Sequence, residues 1–214
     1  MGVAFLDSAP GHVYNLAVGN VADWTLTPGL PNGDKYAASD GSIAAVFNQC
    51  GTAFDWRTGQ WTLEFWLWIP TTPPSLGWMF AYAPAGDTGF NFSFGCWVNA
   101  SRTFAFNLYN TSGNASLGRT CSIAIPANAW NYMTIQKPGS GLNPDIYVDK
   151  VLRNGAAATS GSPTVPTATT RFYMWSGPDL SAPMPATARI GKPAMYNKLL
   201  TPLQMSKHYD AMTT

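Results

Sequence analysis

The sequence predicts an all-β fold of two packed antiparallel sheets, with one short helix at the C-terminal end. Three observations predict it. Short apolar or alternating segments bounded by Gly, Pro, Asn and Asp recur along all 214 residues. The segment 61–69 alternates strictly, with apolar residues on both of its faces. A helix start signal appears at Thr201, followed by a partly apolar stripe.

The strands are expected in the following order. Residues 3–6 and 43–47 come first. In 61–69, Trp61, Leu63, Phe65, Leu67 and Ile69 share one face, and Thr62, Glu64, Trp66 and Trp68 the other. Such a strand belongs at the centre of a sheet covered on both sides. Segments 78–83, 90–94 and 103–109 follow, the last with Phe104, Phe106 and Leu108 on one face. Segments 121–125, 130–136, 145–148, 171–175 and 188–190 complete the set. The Gly-, Ala-, Ser- and Thr-rich stretch 154–170 has no periodicity, and 176–187 is rich in proline, so both read as long surface loops. Thr201-Pro-Leu-Gln204 has the form of a capping box that opens a helix to about Met212. Leu203, Met205, His208 and Met212 give that helix the stripe by which it docks. No internal repeat or linker divides the chain, so residues 1–214 are expected to form a single domain.

Composition sets the core and excludes partners. Apolar residues make up 46% of the chain and aromatics 14%, ample material for a large core. Charged residues are only 11%, against about 25% in an average soluble domain. The six Lys and six Arg are scattered singly and the net charge is +1. A nucleic-acid binder needs clustered cations to displace counterions, so nucleic acid is excluded as a partner. No stretch reaches the roughly 18 apolar residues of a spanning helix, so no membrane insertion is expected. Residues 1–10 lack a basic n-region and do not read as a signal peptide. Cys50, Cys96 and Cys121 form no metal half-site. They leave two readings open, buried thiols throughout or one disulfide with one thiol left over.

Several segments resemble the laminin-G-like and pentraxin-like jelly rolls of the concanavalin-A-like lectin and glucanase superfamily. Asp40-Gly-Ser-Ile-Ala-Ala-Val-Phe47 looks like the stretch leading to the first core strand, and Trp61-Thr-Leu-Glu-Phe-Trp66 like the aromatic-Thr-Leu-Glu strand. Trp130-Asn-Tyr-Met-Thr-Ile135 resembles the central Trp strand. Ile146-Tyr-Val-Asp149 resembles a Tyr-Val-Asp-Gly hairpin, with Lys150 where Gly is usual. The closing segment from Arg189 to Pro202 resembles the Ile-Gly, Tyr-Asn, Leu-Thr-Pro ending. The resemblance implies a jelly-roll sandwich, a fold that hosts lectins, hydrolases and structural virion parts.

The chemistry legible in the chain argues against an enzyme. Glycoside hydrolysis requires two positioned carboxylates, and the superfamily's glucanases use a Glu-x-Asp-x-x-Glu strand. This chain has one glutamate, Glu64, and no such pattern. Glu64 is expected to be structural, at a sheet edge or paired with one Arg or Lys. His12 and His208 lie in no nucleophile or metal motif. No cofactor is expected. Calcium is the one cation the resemblance brings in, with Asp87, Asn91 and Asp179 as weak oxygen-ligand candidates. Glycan binding joins an aromatic face to Asp, Asn or backbone groups. The candidates in or beside loops are Trp78, Asp87, Trp97, Asn110, Asn114, Trp175 and Asp179, of which one or two are expected to be exposed. Asn91, Asn99, Asn110 and Asn114 begin N-x-S triplets, as expected by chance in an Asn- and Ser-rich chain.

Together these features point to a non-enzymatic structural protein on a bacteriophage virion, a capsid decoration or tail-associated part and a weak glycan adhesin. Its expected partners are other virion proteins, cell-surface glycan and further copies of itself, and its location the virion surface or the extracellular space. A free carbohydrate-binding module or lectin is the alternative, and a glycoside hydrolase the third reading.

Overall fold

The computed structural model describes residues 4–5, 16–17, 26–33, 35–38, 45–47, 57–73, 76–84, 94–110, 114–159, 162–163, 170–175, 184–185 and 187–213. Within them the chain forms β1 (Ala4–Phe5), β2 (Leu16–Ala17), β3 (Leu26–Pro28), β4 (Lys35–Ala38), β5 (Ala45–Phe47) and β6 (Trp61–Trp68). There follow β7 (Leu76–Pro84), β8 (Phe94–Asn99), β9 (Thr103–Tyr109), β10 (Ala115–Ala124) and β11 (Trp130–Lys137). The last strands are β12 (Asp145–Val148), β13 (Val151–Leu152), β14 (Asn154–Thr159), β15 (Thr170–Met174) and β16 (Arg189–Tyr196), before helix α1 (Pro202–Thr213).

The strands build two antiparallel sheets, as expected. The front sheet runs β14-β10-β9-β8-β7-β15-β5 and the back sheet β13-β12-β11-β6-β16-β4-β3, with β1 and β2 paired separately. The alternation in β6 takes the predicted form. Trp61, Leu63, Phe65 and Leu67 enter the core between the sheets, while Thr62, Glu64 and Trp66 lie on the other face and are also buried. β6 is central, between β11 and β16. Phe65 bridges the two layers, its ring 5.2 Å from Phe80 in an edge-to-face contact and 6.3 Å from Phe104.

Helix α1 covers the outer face of the back sheet. Its capping box forms as predicted: Gln204 N–H donates to Thr201 Oγ1 at 3.2 Å, and Thr201 N–H to Gln204 Oε1 at 2.9 Å. The docking stripe differs from expectation at two positions, Leu203 lying off it and Tyr209 on it. Leu203 is 66% exposed, whereas Met205 is buried and Tyr209 and Met212 pack beside it against Trp66 and Tyr132. Positions 205, 209 and 212 follow the i, i+4, i+7 spacing of one helix face, and 203 lies off it.

Several strand boundaries correct the sequence reading: β10 begins at Ala115 where 121–125 is expected, β16 runs on to Tyr196 where 188–190 is expected, and β2, β3, β4 and β13 lie outside the expected segments. The stretch 154–170 is not all loop, because Asn154–Thr159 forms edge strand β14 against β10. An edge strand of small residues draws its stability from backbone pairing, which leaves no apolar period to read. Gly155 permits that approach, since a Cβ there would lie 2.9 Å from the Thr120 carbonyl oxygen. The strand expected at 90–94 is seen from Phe94 to Asn99, with 90–93 outside the described residues. Parts of the expected strands at 3–6 and 43–47 also lie outside them.

Candidate functional site

The outer face of the front sheet carries an aromatic row. On β8, Phe94, Cys96 and Val98 point into the core, so Gly95 and Trp97 point outward. Register then aligns Trp97 with Trp78 on β7 and Ala105 on β9, and Gly95 with Ala81 and Asn107. Trp78 and Trp97 have ring centroids 5.2 Å apart, and Trp97 and Tyr109 6.4 Å apart. The Asn107 side chain hydrogen-bonds Tyr109, whose hydroxyl pKa is raised chiefly by burial. The small residues beside these groups, Gly95, Ala81, Ala105 and Gly118, are themselves buried. Trp78 and Tyr173 are only 2% exposed and Tyr109 is buried, and Trp97 is the partly exposed member of the row.

The structure brings four of the seven glycan candidates into this region. Trp78 and Trp97 are neighbours, and Asn110 and Asn114 close the β9–β10 hairpin directly after Tyr109. There Asn114 N–H donates to Asn110 Oδ1 at 3.0 Å, which occupies part of the Asn110 amide. Asn114 is exposed. Trp175 lies elsewhere, 2% exposed within the inter-sheet core and at φ 69°, its backbone N–H donating to the Met79 carbonyl. Asp87, Asn91 and Asp179 lie outside the described residues. Among the described residues no group of three His, Cys, Asp or Glu side chains could hold a metal.

A second feature was not legible in the sequence. Glu64 is neither at a sheet edge nor paired with Arg or Lys. It sits at the centre of the back sheet, 6% exposed, facing α1. Tyr196 Oη donates to its Oε1 at 2.6 Å, Tyr132 Oη donates to its Oε2, and His208 Nδ1 lies 3.0 Å from Oε2. Burial, followed by the bond to Glu64, raises the pKa of both tyrosines. Beside this cluster a cleft of about 310 Å³ opens between β16 and α1. Its cause is a bulge: Gly191 pairs with Trp66 and Ala194 with Glu64, so β16 carries one extra residue opposite Phe65. Pro193 has no N–H for the ladder, and Lys192 takes φ 49°. Three separate strands and a helix converge here, so no local motif announces the site.

Comparison with known proteins settles the family. A laminin G family model, described as concanavalin A-like lectin/glucanases superfamily, matches residues 34–206. The chain belongs to this superfamily. Among solved structures it is similar to a Trypanosoma rangeli sialidase in complex with the inhibitor DANA, at 16% identity and TM-score 0.61. The match covers all of this chain and 34% of that one, so the chain spans about a third of the sialidase. The botulinum neurotoxin type G receptor binding domain matches at 10% identity and TM-score 0.61, covering 92% of this chain and 47% of that one. The Ruminococcus gnavus IT-sialidase CBM40 bound to α2,3-sialyllactose matches at 12% identity and TM-score 0.57, covering 79% of this chain and 95% of that one. At these identities the likeness is one of fold. A comparison with curated proteins finds no match.

The segments that resemble the superfamily prove to be joints of its sandwich. In Trp130-Asn-Tyr132 the buried Asn131 amide donates to the carbonyls of Ala129 and Pro126, at 2.8 and 3.0 Å. Asp149 Oδ1 accepts from Tyr132 N–H at 2.9 Å, which ties the β12–β13 hairpin to β11. Gly191 of the Ile-Gly pair lies under Leu30, whose Cδ2 would be 2.6 Å from an added Cβ. These residues serve the concanavalin A-like fold, and none of them reaches the aromatic row. Glu64 is the one carboxylate among the described residues lining the cleft. Among the described residues, no helix is long and apolar enough to cross a membrane.

Proposed function

We propose that this chain is a non-enzymatic, surface-borne module that binds glycan at the outer face of its front sheet. The single observation that carries the reading is the Trp78–Trp97–Tyr109 row, in which Trp97 is the partly exposed member. A sugar ring has an apolar face that stacks on such an indole, and its hydroxyls require amide partners. The partly exposed Asn107 and the exposed Asn114 stand beside the row to supply them. The lectin-containing superfamily supports the reading, as does the likeness to a carbohydrate-binding module seen with sialyllactose.

The surface is that of a bacteriophage virion, in this proposal, with capsid or tail proteins as partners and further copies of the chain beside it. Low charge, high tryptophan content and the absence of a cation cluster support a packed, exposed structural module. The alternative, a free carbohydrate-binding module, is favoured by the 95% coverage of the R. gnavus module. Mass spectrometry of purified virions separates the two: presence of the chain among capsid or tail components supports the virion reading, and its absence supports the free module. Glycan binding itself is tested on an array that includes sialyllactose, in calcium and in chelator. Signal in either condition supports the reading, and a blank array in both overturns it.

A further inference from the structure

We propose that the cleft between β16 and α1 is a second binding site, shaped for one neutral hydroxylated ring of monosaccharide size. It lies on the back sheet, away from the aromatic row, and does not depend on that row binding glycan.

The argument begins at the floor. An ionised carboxylate offers about four acceptor positions. Glu64 accepts from Tyr132 and Tyr196 and contacts His208 Nδ1, and its remaining exposure opens into the cleft. A ligand that reaches the floor must therefore present a donor. Trp66, Tyr196 and Met212 give the rest of the cleft an apolar and aromatic lining. Tyr196 is itself stacked on the His208 ring at 5.9 Å, which holds a flat wall in place. An apolar body with a hydroxyl edge matches both surfaces.

Charge narrows the class. Lys192 at the rim repels a monocation, while Glu64 at the floor repels an anion, so an ion of either sign meets one like charge in the cleft. A neutral ligand meets neither penalty. Size narrows it again, since about 310 Å³ stands at the lower end of ligand pockets, roughly 300–1,000 Å³, and leaves room for one ring. The bulge at Lys192-Pro193 is a built feature: it interrupts a central ladder at the position that opens the cleft, and bulges recur beside functional sites.

His208 offers a direct reading of occupancy. The chain has two histidines, so the imidazole proton signals of His208 are assigned by comparison with a His12→Gln variant. Glucose, galactose and mannose are titrated separately into the full chain, with choline chloride as the cationic control. The proposal expects saturable shifts of the His208 signals with at least one sugar, at a dissociation constant on the order of 1 mM, and none with choline. Glu64→Gln weakens that binding by roughly tenfold, the effect of replacing a charged acceptor by a neutral one. Ala211→Trp, which fills the cleft, abolishes it; should that variant misfold, Glu64→Gln carries the test alone. Trp97→Ala leaves the His208 shifts in place while removing binding at the front sheet, so the two readings fail separately. Absence of saturable His208 shifts with all three sugars overturns the proposal, as do shifts with choline alone or sugar binding unchanged in folded Glu64→Gln and Ala211→Trp.

Discussion

His208 Nδ1 lies 3.0 Å from Glu64 Oε2, and this contact joins the middle of the C-terminal helix to the centre of the back sheet. Two tyrosine hydroxyls complete the arrangement. The lone glutamate of the chain is thus the acceptor around which strand β6, strand β11, strand β16 and α1 are assembled.

Removing that acceptor should be costly. In Glu64→Ala the hydroxyls of Tyr132 and Tyr196 lose their partner, and a buried unsatisfied donor costs about 1–3 kcal/mol. The expected loss is about 3 kcal/mol in a urea titration. Glu64→Gln retains an oxygen acceptor and should lose about half as much. Equal losses for the two variants would show that the hydrogen bonds contribute little.

The same tyrosines set an alkaline limit. Burial and Glu64 raise both pKa values above the ordinary value of 10.0. The unfolded chain releases these protons near pH 10 and the folded chain holds them, so folded stability is fully present below pH 10 and falls as pH rises beyond it. Urea midpoints should be level from pH 8 to about pH 9.5 and then decline. A Tyr132→Phe, Tyr196→Phe double variant should decline less steeply, and an unchanged slope would contradict the assignment.

Lys150 stands at φ 70° in the β12–β13 turn, where a side chain is strained. Its ammonium lies 4.2 Å from the Tyr209 ring centroid and 3.5 Å from Asp210 Oδ1, so it clasps α1. Lys150→Gly relieves the strain and loses the clasp, and should be close to neutral. Lys150→Ala loses the clasp and keeps the strain, and should be less stable than Lys150→Gly by about 1 kcal/mol. Thermal melts of the two variants decide it.

Cys96 and Cys121 are free and buried, and burial pushes both thiols up in pKa. Iodoacetamide at pH 8 should leave both unmodified in the folded protein and alkylate both in denaturant. Peptide mass spectrometry locates the label, and rapid native labelling of Cys96 would contradict its complete burial.

How much of this was legible depended on where the information resides. The strict alternation of 61–69 fixed the central strand, because period 2 with two apolar faces admits few other arrangements. The capping box at Thr201 was equally readable, since its chemistry is local. Strand β14 was not, because Asn154–Thr159 takes its order from pairing with β10 and not from its own side chains. Trp78 and Trp97 were legible as candidates but not as a pair, since their adjacency depends on the register of β7 against β8. The Glu64 cluster was the least legible part. Its members at positions 64, 132, 196 and 208 meet only after the whole sandwich has closed.

The most direct test of glycan binding at the front sheet compares the parent chain with Trp97→Ala, by isothermal titration against the strongest glycan found on the array. Truncating a stacked indole should weaken binding at least tenfold, while the urea midpoint stays near that of the parent because Trp97 is only partly buried. Equal affinity in a folded Trp97→Ala variant would contradict the account.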